Sequence, residues 1–225
     1  MLGRSGNRRV NVCFHGIGRP RIEREPGESR YWITADQLER ILDALTGRPE
    51  VNISFDDGNR SDIDVALNHL VERRLEATFF PLAGRLSDRD SLSPAGVREL
   101  VDAGMAVGSH GMWHRPWRRL SESEADEELR QARDIITDAA GQSINRAAMP
   151  LGQYDRRALV MLREHQYAEV NTSDRRVARS GQWLQPRFSV QADETPESLD
   201  LAIAQAATLV TRTMRTAAGY VKRLR

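Results

Sequence analysis

Residues 51–80 read VNISFDDGNRSDIDVALNHLVERRLEATFF. A short β-rich run, VNISF (51–55), and a second one opening ATFFPLAG (77–84) flank the segment DIDVALNHLVERRL (62–75), where Ile63, Leu67, Leu70 and Val71 share one helical face. Strand, helix and strand in such close succession form a unit whose two strands run parallel. The same rhythm extends in both directions. Upstream lie the strand VNVCFH (10–15) and the helix TADQLERILDAL (34–45), with Thr34 as N-cap. Downstream, SPAGVRELVDAG (93–104) reads as a helix capped by Ser93 and Pro94, followed by the strand MAVGSH (105–110). SESEADEELRQARDIITDAAG (121–141) is a long helix with a Ser-x-x-Glu capping box at its start and Gly141 at its end. A strand near RAAMPL (146–151), a helix DRRALVMLREHQ (155–166), weaker strands YAEVN (167–171) and QWLQPRFSV (182–190), and a helical tail over about 194–217 complete the pattern. Residues 18–33 form a long loop. Six or seven such units predict an α/β fold on a parallel sheet, open or closed into a barrel.

Bulk composition narrows the function classes. The chain has 225 residues, 40% hydrophobic and 29% charged, with a net charge of +1. That predicts one domain over residues 1–225, with a motif-bearing core over about 8–190. It supplies no global field for nucleic acid. No run approaches the ~18 apolar residues of a membrane span, so no stable membrane insertion is expected. The basic stretch RTMRTAAGYVKRLR (212–225) reads as a solvated helix end. A single cysteine, Cys13, excludes an intrachain disulfide, and the start lacks a signal-type apolar segment; both predict a cytoplasmic protein. A homo-oligomer remains open.

In a β/α barrel, chemistry gathers where the strands end. The polar residues just past the apolar runs are His15, Asp56 with Asp57, His110, the PLGQYD turn, Asn171 to Asp174, and Arg187. Asp56 and Asp57 repel one another, so SFDDGN (54–59) is either a polar turn with a cap or a site where a cation relieves the repulsion. VGSHGMWHRPW (107–117) supplies His110 and His114, and its glycines and proline argue for a tight turn rather than a helix. Two imidazoles and one carboxylate make a facial ligand set with open positions. Such a set suits Zn²⁺ best, with Co²⁺, Ni²⁺ or Fe²⁺ as alternatives. The second carboxylate can then stay off the metal and act as base; the other reading is two unrelated histidines, one buried and one exposed.

These stretches resemble the polysaccharide deacetylases, the group named for NodB homology. SFDDG resembles their first motif, usually Thr-Phe-Asp-Asp-Gly; SHGMWH resembles their His-(Ser/Thr)-x-x-His motif; MPLGQYD resembles part of the third. The resemblance spans about residues 8–190 and implies a distorted β/α barrel of about seven strands. It also implies that Asp57, His110 and His114 hold one divalent metal. Asp56 would be the general base, taking a proton from the water that attacks an N-acetyl carbonyl. An oxyanion donor would lie near Gln153 or Tyr154, beside Gly152. Two departures stand out. The family's third-motif Arg, which orients the base, is replaced by Ala148; Arg146 lies two residues away, and Arg187, at another strand end, either pins the base from there or is a surface arginine. The family's late Leu-x-His acid has no counterpart, because no histidine follows His165; His15 is a candidate acid or pocket-lining residue, or else a packed rim histidine, and Asp56 is the other group that could shuttle the proton. Of the two tryptophans, Trp117 is expected on the substrate side and Trp113 in the core. Asp174 supports the base, binds substrate, or is a turn residue. The function implied is removal of an N-acetyl group from a sugar or saccharide in glycan or exopolysaccharide assembly. The alternatives are hydrolysis of another C–N bond, such as a cyclic amide or ureide, on the same scaffold, or a glycan-binding pseudoenzyme.

Overall fold

The computed structural model describes residues 8–207. The stretch 212–225 and the part of the expected C-terminal helix beyond 207 lie outside the described residues. Among the described residues eight strands occur: β1 (Arg8–Phe14), β2 (Val51–Asp57), β3 (Ala77–Pro81), β4 (Ala106–Val107), β5 (Arg146–Ala148), β6 (Glu169–Thr172), β7 (Ala178–Arg179) and β8 (Leu184–Ser189). Seven of them are parallel neighbours in the order β4-β3-β2-β1-β8-β6-β5, while β7 pairs antiparallel with the start of β1. The ring closes between β4 and β5 through one bridge, in which Ser109 N–H donates to the Arg146 carbonyl and Ala148 N–H to the Ser109 carbonyl, both at 2.9 Å. The result is a nearly closed α/β barrel of seven parallel strands.

The helices wrap the outside: α1 (Ala35–Leu45), α2 (Leu67–Glu72), α3 (Pro94–Asp102), α4 (Glu122–Ala125), α5 (Ala132–Ala140), α6 (Arg156–Glu164) and α7 (Pro196–Ala206). Their starts follow capping chemistry. Thr34 accepts from the Gln37 amide, Ser93 from Gly96, and Ser121 makes a full capping box with Glu124. The long helix expected over 121–141 is continuous but passes through a π-helical segment, Asp126–Gln131, between α4 and α5; a second π segment, Asp62–Ala66, leads into α2. Gly141 closes α5 in the left-handed conformation.

Strand alternation sorts the side chains. On β1, β2 and β3 the aligned phenylalanines Phe14, Phe55 and Phe79 stack in sequence and join the main hydrophobic cluster with Leu38, Ile41 and Leu42 of α1. The opposite face is polar: Asn11, Ser54, Gln185 and Arg187 are all buried, with Asn11 donating to Gln185, Arg187 to Ser54, and Ser54 to the Val12 carbonyl. The apolar core therefore lies between barrel and helices, and the barrel interior is a polar shaft leading up to the strand ends.

Candidate metal and proton-transfer centre

Two adjacent residues on a strand point to opposite faces. Asp56 follows that rule and faces the barrel interior. Asp57 departs from it. Its φ is 75°, in the left-handed region that Asp tolerates better than most residues, and the following Gly58 is left-handed as well. The reversal turns the Asp57 side chain back onto the rim, so both carboxylates reach one site. Gly58 is required there also by contact: a Cβ would lie 2.7 Å from the Pro81 Cβ.

His110 and His114 come from the turn after β4. Asp57 Oδ1 lies 3.5 Å from His110 Nε2 and 3.4 Å from His114 Nε2. Each ring is oriented through its other nitrogen. His110 Nδ1 sits 2.9 Å from the Ala148 carbonyl, and His114 Nδ1 2.6 Å from Glu25 Oε1. Both partners only accept, so both Nδ1 atoms carry the proton and donate. That leaves two Nε2 lone pairs converging on one carboxylate oxygen that is buried and has no hydrogen-bond partner. Donor atoms of the three residues fall within 4.8 Å of one another. Three electron-pair donors converging without a proton among them fit a divalent cation, and two imidazoles with a carboxylate match a Zn²⁺-type ligand set.

Asp56 is occupied differently. Arg187 grips it with two charge-assisted bonds, NH1 to Oδ1 at 2.7 Å and NH2 to Oδ2 at 2.6 Å, and its NH1 also donates to Ser54 Oγ at 3.1 Å. Both partners are almost wholly buried. Burial works against the Asp56 charge, yet Arg187 and then His110 hold its carboxyl far below the usual carboxylate range. Burial likewise opposes Asp57, and His114, His15 and His110 pull it down. Burial pushes His110 down to about 4. His114 is raised: burial opposes its charge, but Asp57 and Glu25 outweigh it.

The replacement of the third-motif Arg thus has a geometric account. Arg146 lies deeper on β5, where its NH1 reaches Thr78 Oγ1. Ala148 contributes its backbone carbonyl to His110, and β8 supplies the guanidinium for Asp56. His15, just past β1, lies with Cys13 and Asp56 in a second cluster of donor atoms within 4.8 Å. Arg187 already neutralises Asp56 there, so that cluster is the poorer cation site. The His15 ring stacks on Tyr31 with centroids 4.9 Å apart, and its Nδ1 is buried without a partner.

The remaining expected site residues are spread more widely. Trp117 is completely buried, packed with Leu120, Leu129 and Tyr154, and its Nε1 donates to Glu128. It belongs to the core, and the expectation that it faces substrate is corrected. Trp113 is the exposed one, at 49%, with Nε1 donating to Glu127. The Tyr154 ring is buried too, and its hydroxyl donates to Asp174, which also accepts from Thr172 Oγ1. The amides of Gly152 and Gln153 donate to the Met149 and Pro150 carbonyls, so the Gln153 amide is engaged in the turn rather than turned toward substrate.

Three acids escaped the sequence reading. Glu25, in the 18–33 loop, reaches His114 across the rim. Glu128, wholly buried in the π segment before α5, accepts from the Met112 and Trp113 amides and from Trp117 Nε1, and pairs with Arg115 Nε at 3.0 Å. It props the histidine turn from below, where Gly111 leaves room: a Cβ would sit 2.2 Å from Glu128 Oε2. Asp62 is fully buried with neither oxygen partnered, and burial followed by the charges of Asp57 and Asp56 raises its carboxyl well above normal. Asp62 and Glu128 both lie in π-helical segments, which gather at functional sites, but hydrophobic periodicity does not display such turns, and Glu25 carries no local mark at all.

The family model described as polysaccharide deacetylase matches residues 43–170, more than half of the chain and including both carboxylates and both histidines. The chain belongs to the polysaccharide deacetylase family. Solved structures share its fold. The Streptococcus pyogenes deacetylase PplD, in complex with acetate, is 19% identical with a TM-score of 0.75, covering 87% of this chain and 98% of its own. IcaB from Ammonifex degensii is 23% identical with a TM-score of 0.71, covering 90% and 98%. A de-N-acetylase from Aggregatibacter actinomycetemcomitans is 16% identical with a TM-score of 0.69, covering 87% and 100%. No curated protein sequence matches this chain. Among its described residues, no helix is long and apolar enough to cross a membrane.

Proposed function

We propose that this deacetylase is a metal-dependent hydrolase that removes the acetyl group from an N-acetylated saccharide. The observation that carries the reading is the convergence of His110 Nε2 and His114 Nε2 on an unpartnered Asp57 oxygen, with a second carboxylate, Asp56, on the adjacent residue. A divalent cation held by Asp57, His110 and His114 would polarise the acetyl carbonyl and acidify a water beside it. Asp56 then receives the proton of the attacking water. Arg187 holds Asp56 in its ionised form, the form that accepts a proton, while making it a weaker base. For the same reason Asp56 holds the acquired proton weakly and passes it readily to the departing amine. Each Asp56 oxygen retains an acceptor position after its bond to Arg187. His15, beside Asp56 and with one buried nitrogen unpartnered, is the second group able to deliver that proton, in place of the missing late-motif histidine. Trp113, exposed next to the ligand His114, offers an apolar face of the kind on which sugar rings stack.

Acetate release from N-acetylglucosamine oligosaccharides tests this. With Zn²⁺ or Co²⁺ supplied, the wild type should release acetate. Asp56→Asn should abolish release while the protein still binds the metal. Saccharide binding without acetate release under every divalent metal would instead identify a glycan-binding protein.

A further inference from the structure

The loop between β1 and α1 is closed at its neck: Gly18 N–H donates to the Ile33 carbonyl at 2.7 Å and Ile33 N–H to the Gly16 carbonyl at 3.0 Å. Its two ends therefore meet, as in an Ω-loop. Between positions 18 and 32 no residue is buried, and Ile22 is 72% exposed. Tyr31, stacked on His15, and the buried Ile33 anchor its C-terminal end, but over 18–30 apolar packing does not hold it down. Charges do. Arg24 donates to Ser91 Oγ at 3.0 Å and faces Asp88, Arg21 pairs with Asp90, and Glu28 collects the amides of Arg24 and Glu25. One residue reaches inward. Glu25 Oε1 accepts from His114 Nδ1 at 2.6 Å and from Arg85 NH2 at 3.0 Å.

We propose that Glu25 is a positioning residue for the ligand His114, and that through it the 18–33 loop and the metal centre stabilise one another. The inference rests on the metal reading above. Glu25 fixes the tautomer and the ring plane that aim His114 Nε2 at Asp57, and its charge makes the imidazole a better donor to a cation. Linkage makes the effect reciprocal: whatever the docked loop adds to cation affinity, the cation adds to loop docking. The 18–30 part of the loop, with no buried residue, opens locally at little cost, so this coupling adds directly to the surface contacts that keep it closed.

The experiment measures Zn²⁺ dissociation constants by chelator competition, together with trypsin cleavage in the loop, where Arg21, Arg24 and Arg30 are sites. In the wild type, cation should slow cleavage at these positions. Glu25→Gln should bind Zn²⁺ about 10–100-fold more weakly and lose the cation-dependent protection. Arg24→Gln, which loosens the loop away from the ligands, should also weaken Zn²⁺ binding; this variant decides the matter if Glu25→Gln fails to fold. Equal affinity and equal protection in wild type and variants would overturn the inference and leave the metal reading intact. If the wild type bound Zn²⁺ no better than His114→Ala, the metal reading would fall and the inference with it.

Discussion

Replacing Arg187 with Met tests the electrostatics of the centre most directly. The substitution keeps the length and apolar stem of the side chain but strands the Asp56 carboxylate, about 3% exposed, without its counter-ion. Removing one partner of a buried ion pair costs about 3–5 kcal/mol. For a chain of this size that corresponds to a fall in Tm of roughly 6–20 °C. The pH dependence should change sign. In the wild type Asp56 titrates below its unfolded value, near 3.9, so its stabilisation is complete above that pH and is lost as pH falls through the folded value. In Arg187→Met, burial without a counter-ion places the folded value above the unfolded one. The loss relative to wild type should then be small near pH 4 and grow as pH rises through the new folded value. Urea unfolding of metal-free protein across pH 4–8 measures this. The double variant Arg187→Met, Asp56→Asn should recover part of the loss, because it removes the stranded charge. A destabilisation independent of pH, or a double variant no more stable than the single one, would refute the reasoning.

Further outcomes follow from the same geometry. Trp117→Ala should cost about 3–5 kcal/mol of stability, as for other buried large-to-small changes, whereas Trp113→Ala should leave the urea midpoint nearly unchanged and raise KM for saccharide. Glu128→Gln keeps the side-chain shape but weakens four contacts to the histidine turn; a stability loss of about 1–3 kcal/mol and weaker Zn²⁺ binding are expected, read by urea titration and chelator competition. His110, pushed down to about 4 by burial, stays neutral in the fold while it would titrate near 6.5 unfolded. Metal-free protein should therefore lose stability as pH falls between those values, and His110→Asn should flatten that limb. Zn²⁺ affinity should fall over the acid range as protons compete for the histidine lone pairs.

The strand–helix rhythm was legible because alternation and helical periodicity record burial directly, and the capping residues Thr34, Ser93 and Ser121 marked helix starts. The pair β1–β7 was not legible: two residues of β7 carry no periodicity. The two-residue β4 was read too long, since its extension through Ser109 and His110 already belongs to the bridge and turn that close the ring. Motif order exposed Asp56, Asp57, His110 and His114, and the placement of Arg187 at a strand end pointed to its contact with Asp56. Glu25 was hidden because it sits in a loop and meets a partner 89 residues away. Glu128 was hidden because a π turn rotates it out of the face that a regular helix would give it. The tryptophans were exchanged for a related reason: Trp117 carries an indole N–H that the buried Glu128 satisfies, and nothing local advertises that partner.

The Arg187–Asp56 pair joins residues 131 positions apart, on strands that flank β1 from either side. A nascent chain that has made β1 to β5 already carries every ligand and both rim carboxylates, but nothing to balance Asp56. Only when β8 slots in beside β1 does the guanidinium arrive. If the proposed hydrolysis holds, competence would thereby be tied to completing the ring: a barrel cut short before β8 would be silent even though it carries Asp57, His110 and His114.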